Sequence, residues 1–408
     1  MSVIKMSSLH SVLHESNSFN QENLSYIKQI EKQLNEKIIL SDLADDNCDL
    51  KLIFIESGGS ERLFLDMMKQ IKPPYYLLTT GKNNSLAASI EILSYLNNHH
   101  IKGEIIHGNI DYVAKRIKEL AENNRVMNYL HKSNLGIIGR PSDWLISSIP
   151  GYNSLKDLFD INLIDIPLEE LYQGITNFNS LSNIDKYHLE YDNDKLIKAN
   201  QVYRSLEKIV KKYKLSGFTI RCFDLLDKLH TTGCLSLACF NEQGIVGTCE
   251  GDIMALLSMY IIKAITNKSS VQANPCRIDV DNNEIVFAHC TVPFDMLADY
   301  SIDSHFESKI GVAIKGNLKP ETVTIFRYSM DLKTYFVSKG TIIKNLNEPT
   351  MCRTQILVKL EKDVSILLKK PCGNHHIIVY GDYKDQIESF MKFILEWKNQ
   401  LATGFFKT

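Results

Sequence analysis

Short β-rich runs alternate with helix-length stretches through the first 170 residues, and this order restricts the folds open to the chain. The runs are KLIFIE (51–56), YYLLT (75–79), GEIIH (103–107), NLGIIG (134–139) and INLIDI (161–166). Four stretches long enough for crossover helices separate them, namely 60–71, 85–97, 110–131 and 142–159. The alternation predicts an α/β fold with doubly wound parallel sheets, which bind ligands at the carboxyl ends of their strands.

Polar and small residues follow these strands. Glu56 ends the first run and Ser57 follows it, and Asn83 and Ser85 follow the second. The glycine spacing fits no dinucleotide fingerprint, and no Gly-Lys-Ser/Thr phosphate loop occurs. These residues are therefore either ordinary turn formers or the lining of a crevice for a polar small molecule.

The pattern changes beyond Pro275, where residues alternate with period two and β-branched residues dominate. This pattern predicts an antiparallel β domain, a barrel closed by an amphipathic helix over 384–401. Together with a second α/β region, it predicts three domains: 1–140, 141–268 with Glu250, and 269–408.

Charge and cysteine content exclude several classes of protein. Lys and Arg number 46 against 48 Asp and Glu, so nothing favours binding to nucleic acid or to an anionic membrane. The nine cysteines are scattered without a Cys-x-x-Cys pair, which favours a reducing cytoplasm over a disulfide framework or a zinc site. We expect neither a signal peptide nor a membrane span, because the longest apolar run, Ile253 to Ile265, contains Lys263.

The segment from Leu235 to Val280 contains the strongest candidates for chemistry. Glu250 and Asp252 precede an apolar run of helical periodicity, and Asp279 follows in a run that resembles a strand. Glu250 and Asp279 are therefore candidates to face one another across a site. In the alternative interpretation, Asp252 is a helix N-cap and Asp279 forms a turn at a strand end.

Histidines cluster in the chain after these acids. His289, His305 and the adjacent His375 and His376 are candidate metal ligands, although a lone histidine is more often a satisfied core residue. Neighbours on a strand face opposite sides, so only one of His375 and His376 can point into a given site. Two carboxylates and an imidazole suit Mn²⁺, Mg²⁺ or Co²⁺.

The segment around Glu250, the acid about thirty residues later and the C-terminal Gly-Asn-His-His resemble the L-fucose isomerase and L-arabinose isomerase superfamily. The runs GRPSDWLI (139–146), FAHC (287–290) and MCRTQ (351–355) look like those of the short fucose-isomerase-like proteins. The resemblance implies a fold of two α/β domains followed by a β-barrel. It also implies a divalent metal, usually Mn²⁺, held by Glu250, Asp279 and either His375 or His376, with His305 as a further ligand.

The resemblance further implies an aldose–ketose isomerase in which the two carboxylates move a proton through a cis-enediol. We expect a monosaccharide substrate, a sulfonated hexose among the possibilities, because an arginine can meet a sulfonate bidentately. The candidate substrate-binding residues are Arg221, Arg353, His289, Glu56, Ser57, Asn83 and Ser85. The resemblance implies a homotrimer or homohexamer with shared sites. A sugar-binding or regulatory protein of the same fold, without turnover, is the alternative.

Overall fold

The structure, a computed structural model, describes residues 2–11, 17–41, 47–175, 181 and 184–402. The chain forms two compact units, Met1–Tyr129 with Lys392–Thr408, and Leu130–Met391. Within the described ranges, no helix is both long enough and apolar enough to cross a bilayer.

The first unit contains a five-stranded parallel sheet with the strand order β2-β1-β3-β4-β5. Its strands are β1 Ile4–Leu9, β2 Ile38–Leu40, β3 Leu50–Ile55, β4 Tyr75–Thr79 and β5 Gly103–Ile106. Its helices are α1 Asn17–Leu34, α2 Glu61–Met67, α3 Ser85–Asn98 and α4 Ile110–Leu130, which ends at the unit boundary. β3 and β4 are almost entirely buried, as expected for central strands covered on both faces.

The second unit begins with a four-stranded parallel sheet of order β7-β6-β8-β9. Its strands are β6 Asn134–Ile138, β7 Asn162–Ile166, β8 Gly217–Ile220 and β9 Val246–Cys249. Its helices are α5 Tyr152–Phe159, α6 Leu168–Gly174, α7 Asn193–Tyr213, α8 Asp224–Leu229, α9 Cys234–Glu242 and α10 Ile253–Thr266.

The rest of the second unit is an antiparallel barrel whose six strands close in the order β10-β11-β16-β15-β14-β17. These strands are β10 Val271–Asp279, β11 Glu284–His289, β14 Thr322–Tyr328, β15 Tyr335–Asn345, β16 Thr354–Leu360 and β17 His376–Tyr380. The hairpin of β12 Leu297–Asp303 and β13 Ala313–Leu318 pairs outside the barrel. Two helices follow late in the chain, α11 Ile366–Lys369 in this unit and α12 Lys384–Ala402, whose residues from Lys392 onward belong to the first unit.

Helix α10 connects the parallel sheet to the barrel. It is apolar around nearly its whole circumference and buried along its length, which is typical of a helix covered on all sides. It contacts β8 and β9 of the sheet as well as β14 and β17 of the barrel. Its N-terminus therefore brings the end of β9 close to the start of β17.

The predicted fold class is confirmed, with parallel sheets followed by a closed antiparallel barrel. The proposed domain boundaries stay predictions, and Asn134–Ile138 pairs with β7 and β8 of the second sheet. The helix expected over 142–159 begins only at Tyr152. Residues 140–151 instead form a loop with turns at 143–144 and 146–147. In this loop the Ser142 N–H donates to the Glu250 carbonyl at 2.9 Å, and the Leu145 N–H donates to the Ser142 carbonyl at 2.9 Å.

Candidate active site

A tight turn between β9 and α10 presents Glu250. Glu250 has a φ of 66°, the left-handed region that side-chain-bearing residues seldom adopt, and Gly251 follows at 74°. A Cβ on Gly251 would lie 2.6 Å from the Cα of Pro141, so only glycine allows the 140s loop to approach this closely. A strained backbone at an acidic residue, as at Glu250, is often found at functional sites.

The carboxylate of Glu250 has two different neighbours. Trp144 Nε1 donates to Oε2 at 2.7 Å, and His375 Nε2 lies 3.4 Å from Oε1. Burial alone would raise the pKa of Glu250, but His375 and Trp144 outweigh it and lower the pKa to about 2. Glu250 is therefore ionised across the neutral pH range.

A buried chain of charged groups fixes His375 from behind. Arg327 and Asp252 have fully buried side chains, and Arg327 Nη1 lies 3.2 Å from Asp252 Oδ2. The same Oδ2 lies 2.8 Å from His375 Nδ1. Asp252 also caps α10 by accepting from Ala255 N–H at 2.7 Å. A carboxylate behind an imidazole fixes the ring orientation, as it does for histidines that bind metals.

His375 carries an unsatisfied nitrogen. Its Nδ1 is bonded to Asp252, whereas Nε2 has no hydrogen-bond partner among the described residues although it is buried and faces Glu250. Burial would lower the pKa of His375, but the hydrogen bond to Asp252 and the charge of Glu250 raise it to about 9. Leaving a buried nitrogen without a partner is costly, so a metal ion bound at this position would be stabilised by His375 Nε2.

His289 completes a cluster of three possible ligands. One ligand atom from each of Glu250, His289 and His375 lies within 4.8 Å of the other two. The His289 Nδ1 contacts the Thr291 hydroxyl at 2.9 Å, which orients its ring. Burial and the charge of His375 lower the pKa of His289 to about 3, so this ring is neutral. A neutral imidazole is the form that binds metals.

His376 faces the other way from His375, as strand neighbours must. Its ring packs against Phe287 and Phe336 in the barrel, with centroid distances of 5.8 and 5.5 Å. Burial and the charge of Arg327 lower the pKa of His376 to about 3. Of the pair, the structure brings only His375 to Glu250.

The structure does not bring Asp279 to Glu250. β10 begins next to the site, where the Gln272 side chain accepts from Cys249 N–H at 2.8 Å. Asp279 ends the same strand seven residues later, and at ~3.3 Å per residue it lies roughly 20 Å farther along the barrel. It is exposed and accepts from Asn282 N–H at 3.0 Å. Asp279 is thus a turn-forming residue, as the alternative interpretation held, and Asp252 is the helix cap.

A cleft opens beside the three-residue cluster. It is lined by Glu250, Asn274, His289, His305, Glu307, Phe223, Leu226, Thr232 and the cysteines 222, 234, 249, 290 and 352. His305 lies in this cleft but outside the ligand cluster. Among the described residues, the ligand cluster thus contains His289, which was predicted to bind substrate, and does not contain His305, which was predicted to bind the metal.

The two predicted sulfonate-binding arginines are engaged in other contacts. Arg221 binds the Pro141 carbonyl at 2.7 Å and the carboxylates of Asp143 and Asp224 at 3.1 and 2.9 Å. Arg353 donates to the Ser304 carbonyl at 2.8 Å. Both residues stabilise loops around the cleft without lining it.

The predicted residues of the first unit lie together at the carboxyl edge of its own sheet. Glu56 and Ser57 follow β3, and Asn83 and Ser85 follow β4. The two loops are joined because Gly58 N–H donates to the Asn83 carbonyl at 2.8 Å. His10 Nδ1 lies 3.1 Å from Glu56 Oε2.

Trp144 and Arg327 were not predicted from the sequence as site residues. The sequence offers a signal for Arg327, since it is the one charge in the apolar strand TVTIFRY. A charge in a buried strand requires a buried partner, which here is Asp252. Trp144 had no comparable signal, because its role depends on the turn of the 140s loop.

Known proteins similar to this chain share one name. The sulfoquinovose isomerase of Priestia megaterium is 25% identical over 325 residues, covering 74% of this chain and 73% of the relative. That of Alkalicoccus urumqiensis is 23% identical over 327 residues with the same coverage. That of Clostridium sp. is 27% identical over 198 residues, covering 46% of this chain and 44% of the relative. No model of a known protein family matches the chain.

Proposed function

We propose that this protein catalyses the aldose–ketose isomerisation of a sulfonated hexose, with a divalent metal held by Glu250, His289 and His375. The observation that carries the proposal is the buried cluster of these three residues, two of which, Glu250 and His289, line a cleft. The relatives called sulfoquinovose isomerase support both the reaction and the substrate class.

The donor set fits a metal ion. His375 Nε2 makes no hydrogen bond to a described residue and lies 3.4 Å from the ionised Glu250, and a metal ion bound between them would replace the proton that the raised pKa leaves on His375. Two imidazoles and one carboxylate suit Mn²⁺ or Co²⁺ better than Mg²⁺, which prefers oxygen ligands and keeps its waters. Such an ion supplies Lewis-acid polarisation of the carbonyl and the adjacent hydroxyl of the sugar.

The chain's own residues supply the base and its orientation. Glu250 is the buried carboxylate of the cleft and is ionised, so we assign to it removal of the proton from C2 of the aldose and its return to C1. Trp144 holds one oxygen of that carboxylate, and Asp252 holds His375 from behind. Asp279 lies on a distant turn, so we assign the proton transfers at both C2 and C1 to Glu250, which acts on one face of the cis-enediol.

The decisive experiment is conversion of sulfoquinovose by the metal-supplemented full chain, with the ketose detected by NMR. Glucose and L-fucose serve as matched sugars without a sulfonate. We expect turnover of the sulfonated hexose and at least tenfold slower turnover of the other two. Binding without turnover would instead support the regulatory protein of the same fold.

The Glu250→Gln variant tests the assigned base. We expect it to lose ~10²–10⁴-fold in kcat, the range for loss of one acid–base group, while its circular dichroism is unchanged. Glu307→Gln, which alters the other carboxylate of the cleft, is the matched control. Retention of more than about a tenth of the wild-type rate by Glu250→Gln would exclude it as the base.

A further inference from the structure

His305 is held rigidly in the cleft although it does not belong to the ligand cluster. Its backbone N–H donates to the Ile310 carbonyl at 3.0 Å, and its own carbonyl accepts from Lys309 N–H at 2.9 Å. The ring packs edge-on against Phe223, with 5.5 Å between centroids. The loop between β12 and β13 therefore presents this imidazole to the cleft in a fixed orientation.

The hydrogen bonds of His305 select one tautomer. Ser308 N–H points at Nδ1 from 3.4 Å, and the Ser308 hydroxyl lies 3.1 Å from the same atom. A backbone N–H can only donate, so Nδ1 accepts and the proton of the neutral ring is on Nε2. Burial lowers the pKa of His305, which keeps the ring neutral at pH 7.

An aldose–ketose isomerisation needs two proton movements. One proton passes from C2 to C1, and another passes from the C2 hydroxyl to the oxygen of C1. An ionised carboxylate accepts protons but has none to donate, so Glu250 alone does not supply both. A neutral imidazole with a proton on Nε2 both donates and accepts, and His305 is such a group in the cleft that contains Glu250.

We propose that His305 is a catalytic residue that moves the hydroxyl proton of the enediol between the two oxygens; this inference rests on the proposed isomerase function. As Glu250 removes the C2 proton, the C1–C2 double bond forms and His305 gives its Nε2 proton to the C1 oxygen, which leaves His305 as an imidazolate. The C2 hydroxyl then returns a proton to Nε2 as the C2 carbonyl forms, and Glu250 gives the proton taken from C2 to C1. His305 ends neutral, and no electrons enter or leave.

The test uses the Mn²⁺-loaded full chain with sulfoquinovose in D₂O, comparing the wild type with His305→Gln. Glutamine retains hydrogen bonding but does not carry a proton. We expect ketose formation to fall by about 10²-fold. The ratio of C2-deuterated aldose to ketose should rise at least tenfold. Without His305, the enediol is protonated at C2, which regenerates the aldose, more often than at C1. Metal content should stay at the wild-type value.

Lys309→Gln, on the same loop, is the matched control and should leave the ratio unchanged. Wild-type turnover by His305→Gln, or reduced turnover with an unchanged ratio, would overturn the role of His305. Loss of metal from His305→Gln would overturn it too, in favour of a ligand. Absence of ketose with the wild type would instead refute the proposed function on which it rests.

Discussion

At the scale of single residues, the site depends on which polar atoms are satisfied. His375 and His376 are adjacent and equally buried, and each has an Nε2 without a partner among the described residues. The Nε2 of His375 faces the Glu250 carboxylate, and His289 lies close by, whereas the ring of His376 packs against Phe287 and Phe336. The same unsatisfied atom therefore indicates a ligand position in one residue and a core position in the other.

His375→Ala and His376→Ala should differ in metal content. We expect His375→Ala to lose the metal, because it removes one of three ligands. His376→Ala should keep the metal and lose roughly 2–4 kcal/mol of unfolding free energy through the cavity it leaves in the barrel. Elemental analysis and denaturant titration of the two purified variants measure both effects. Full metal content in His375→Ala would place the ligand elsewhere.

The pKa of His376 predicts a loss of stability in acid. The folded-state pKa is about 3, below the unfolded value near 6.5, so the unfolded chain binds a proton that the folded chain does not. The contribution of His376 is present above pH 6.5 and is lost as the pH falls toward 3, at up to about 1.4 kcal/mol per pH unit. In metal-free protein, His376→Met should flatten the decline of unfolding free energy between pH 6.5 and 4. Equal slopes would contradict this.

At the scale of elements, the site is assembled by one turn and one helix. The turn at Glu250 and Gly251 leads into α10, and α10 carries Asp252 to Arg327 and His375 in the barrel. The geometry of the turn therefore determines where both Glu250 and Asp252, the carboxylate behind His375, lie.

Gly251→Ala should lower activity more than Gly244→Ala, a substitution at another glycine with a positive φ. Its added Cβ would clash with Pro141 and displace the loop that carries Trp144. Gly244→Ala is the matched control, since Gly244 has a φ of 86° but a Cβ there meets only the flexible end of Lys263 at 3.4 Å. Both should lose stability by ~1–3 kcal/mol through backbone strain. Only Gly251→Ala should lose more than about tenfold in kcat, and equal activity losses would show that strain alone matters.

The local sequence pattern predicts most helices and strands, but it does not predict which acidic residues lie close together. The apolar runs predict β3 to β7, and the cap and periodicity predict α10, whereas the short strands β2 and β9 were not predicted. Asp279 was expected beside Glu250 because both are acids with apolar flanks. Its actual place depends on the register of β10, which runs from Gln272 at the site to a turn at the far end of the barrel. Sequence spacing does not reveal that register.

At the scale of the whole molecule, an exposed apolar segment adjoins Glu250. Trp144 is 53% exposed, Ile146 84% and Ile149 50%, although Trp144 donates a hydrogen bond to Glu250. Exposed apolar groups of this size beside a site are typical of a surface that another chain covers. They support the prediction, first drawn from the resemblance, of a homotrimer or homohexamer with shared sites.

Subunit mixing tests the shared site. In the expected assembly, the loops that carry Glu56 and Asn83 in one copy cover the Glu250 site of the next, and a ring closes such head-to-tail contacts. The Glu250→Gln chain is mixed with a chain that carries both Lys82→Ala and Asn83→Gly. Both positions lie on an exposed loop, and glycine readily adopts the positive φ of Asn83. Partial recovery of activity is expected. In a hybrid ring, some sites combine Glu250 from one chain with an unaltered Lys82 and Asn83 loop from the other.

Ile146→Glu provides an independent measurement of the same assembly. A charge at this position should oppose association, so light scattering should show a smaller mass together with lower activity. Ile343→Glu, at an apolar side chain of β15 that is 44% exposed, is the control and should leave the mass unchanged. A monomeric mass for the wild type, or no recovery of activity despite proven subunit exchange, would show that each chain builds its site alone. Water would then reach the enediol from the side of Trp144, and the enzyme would need another way to exclude it.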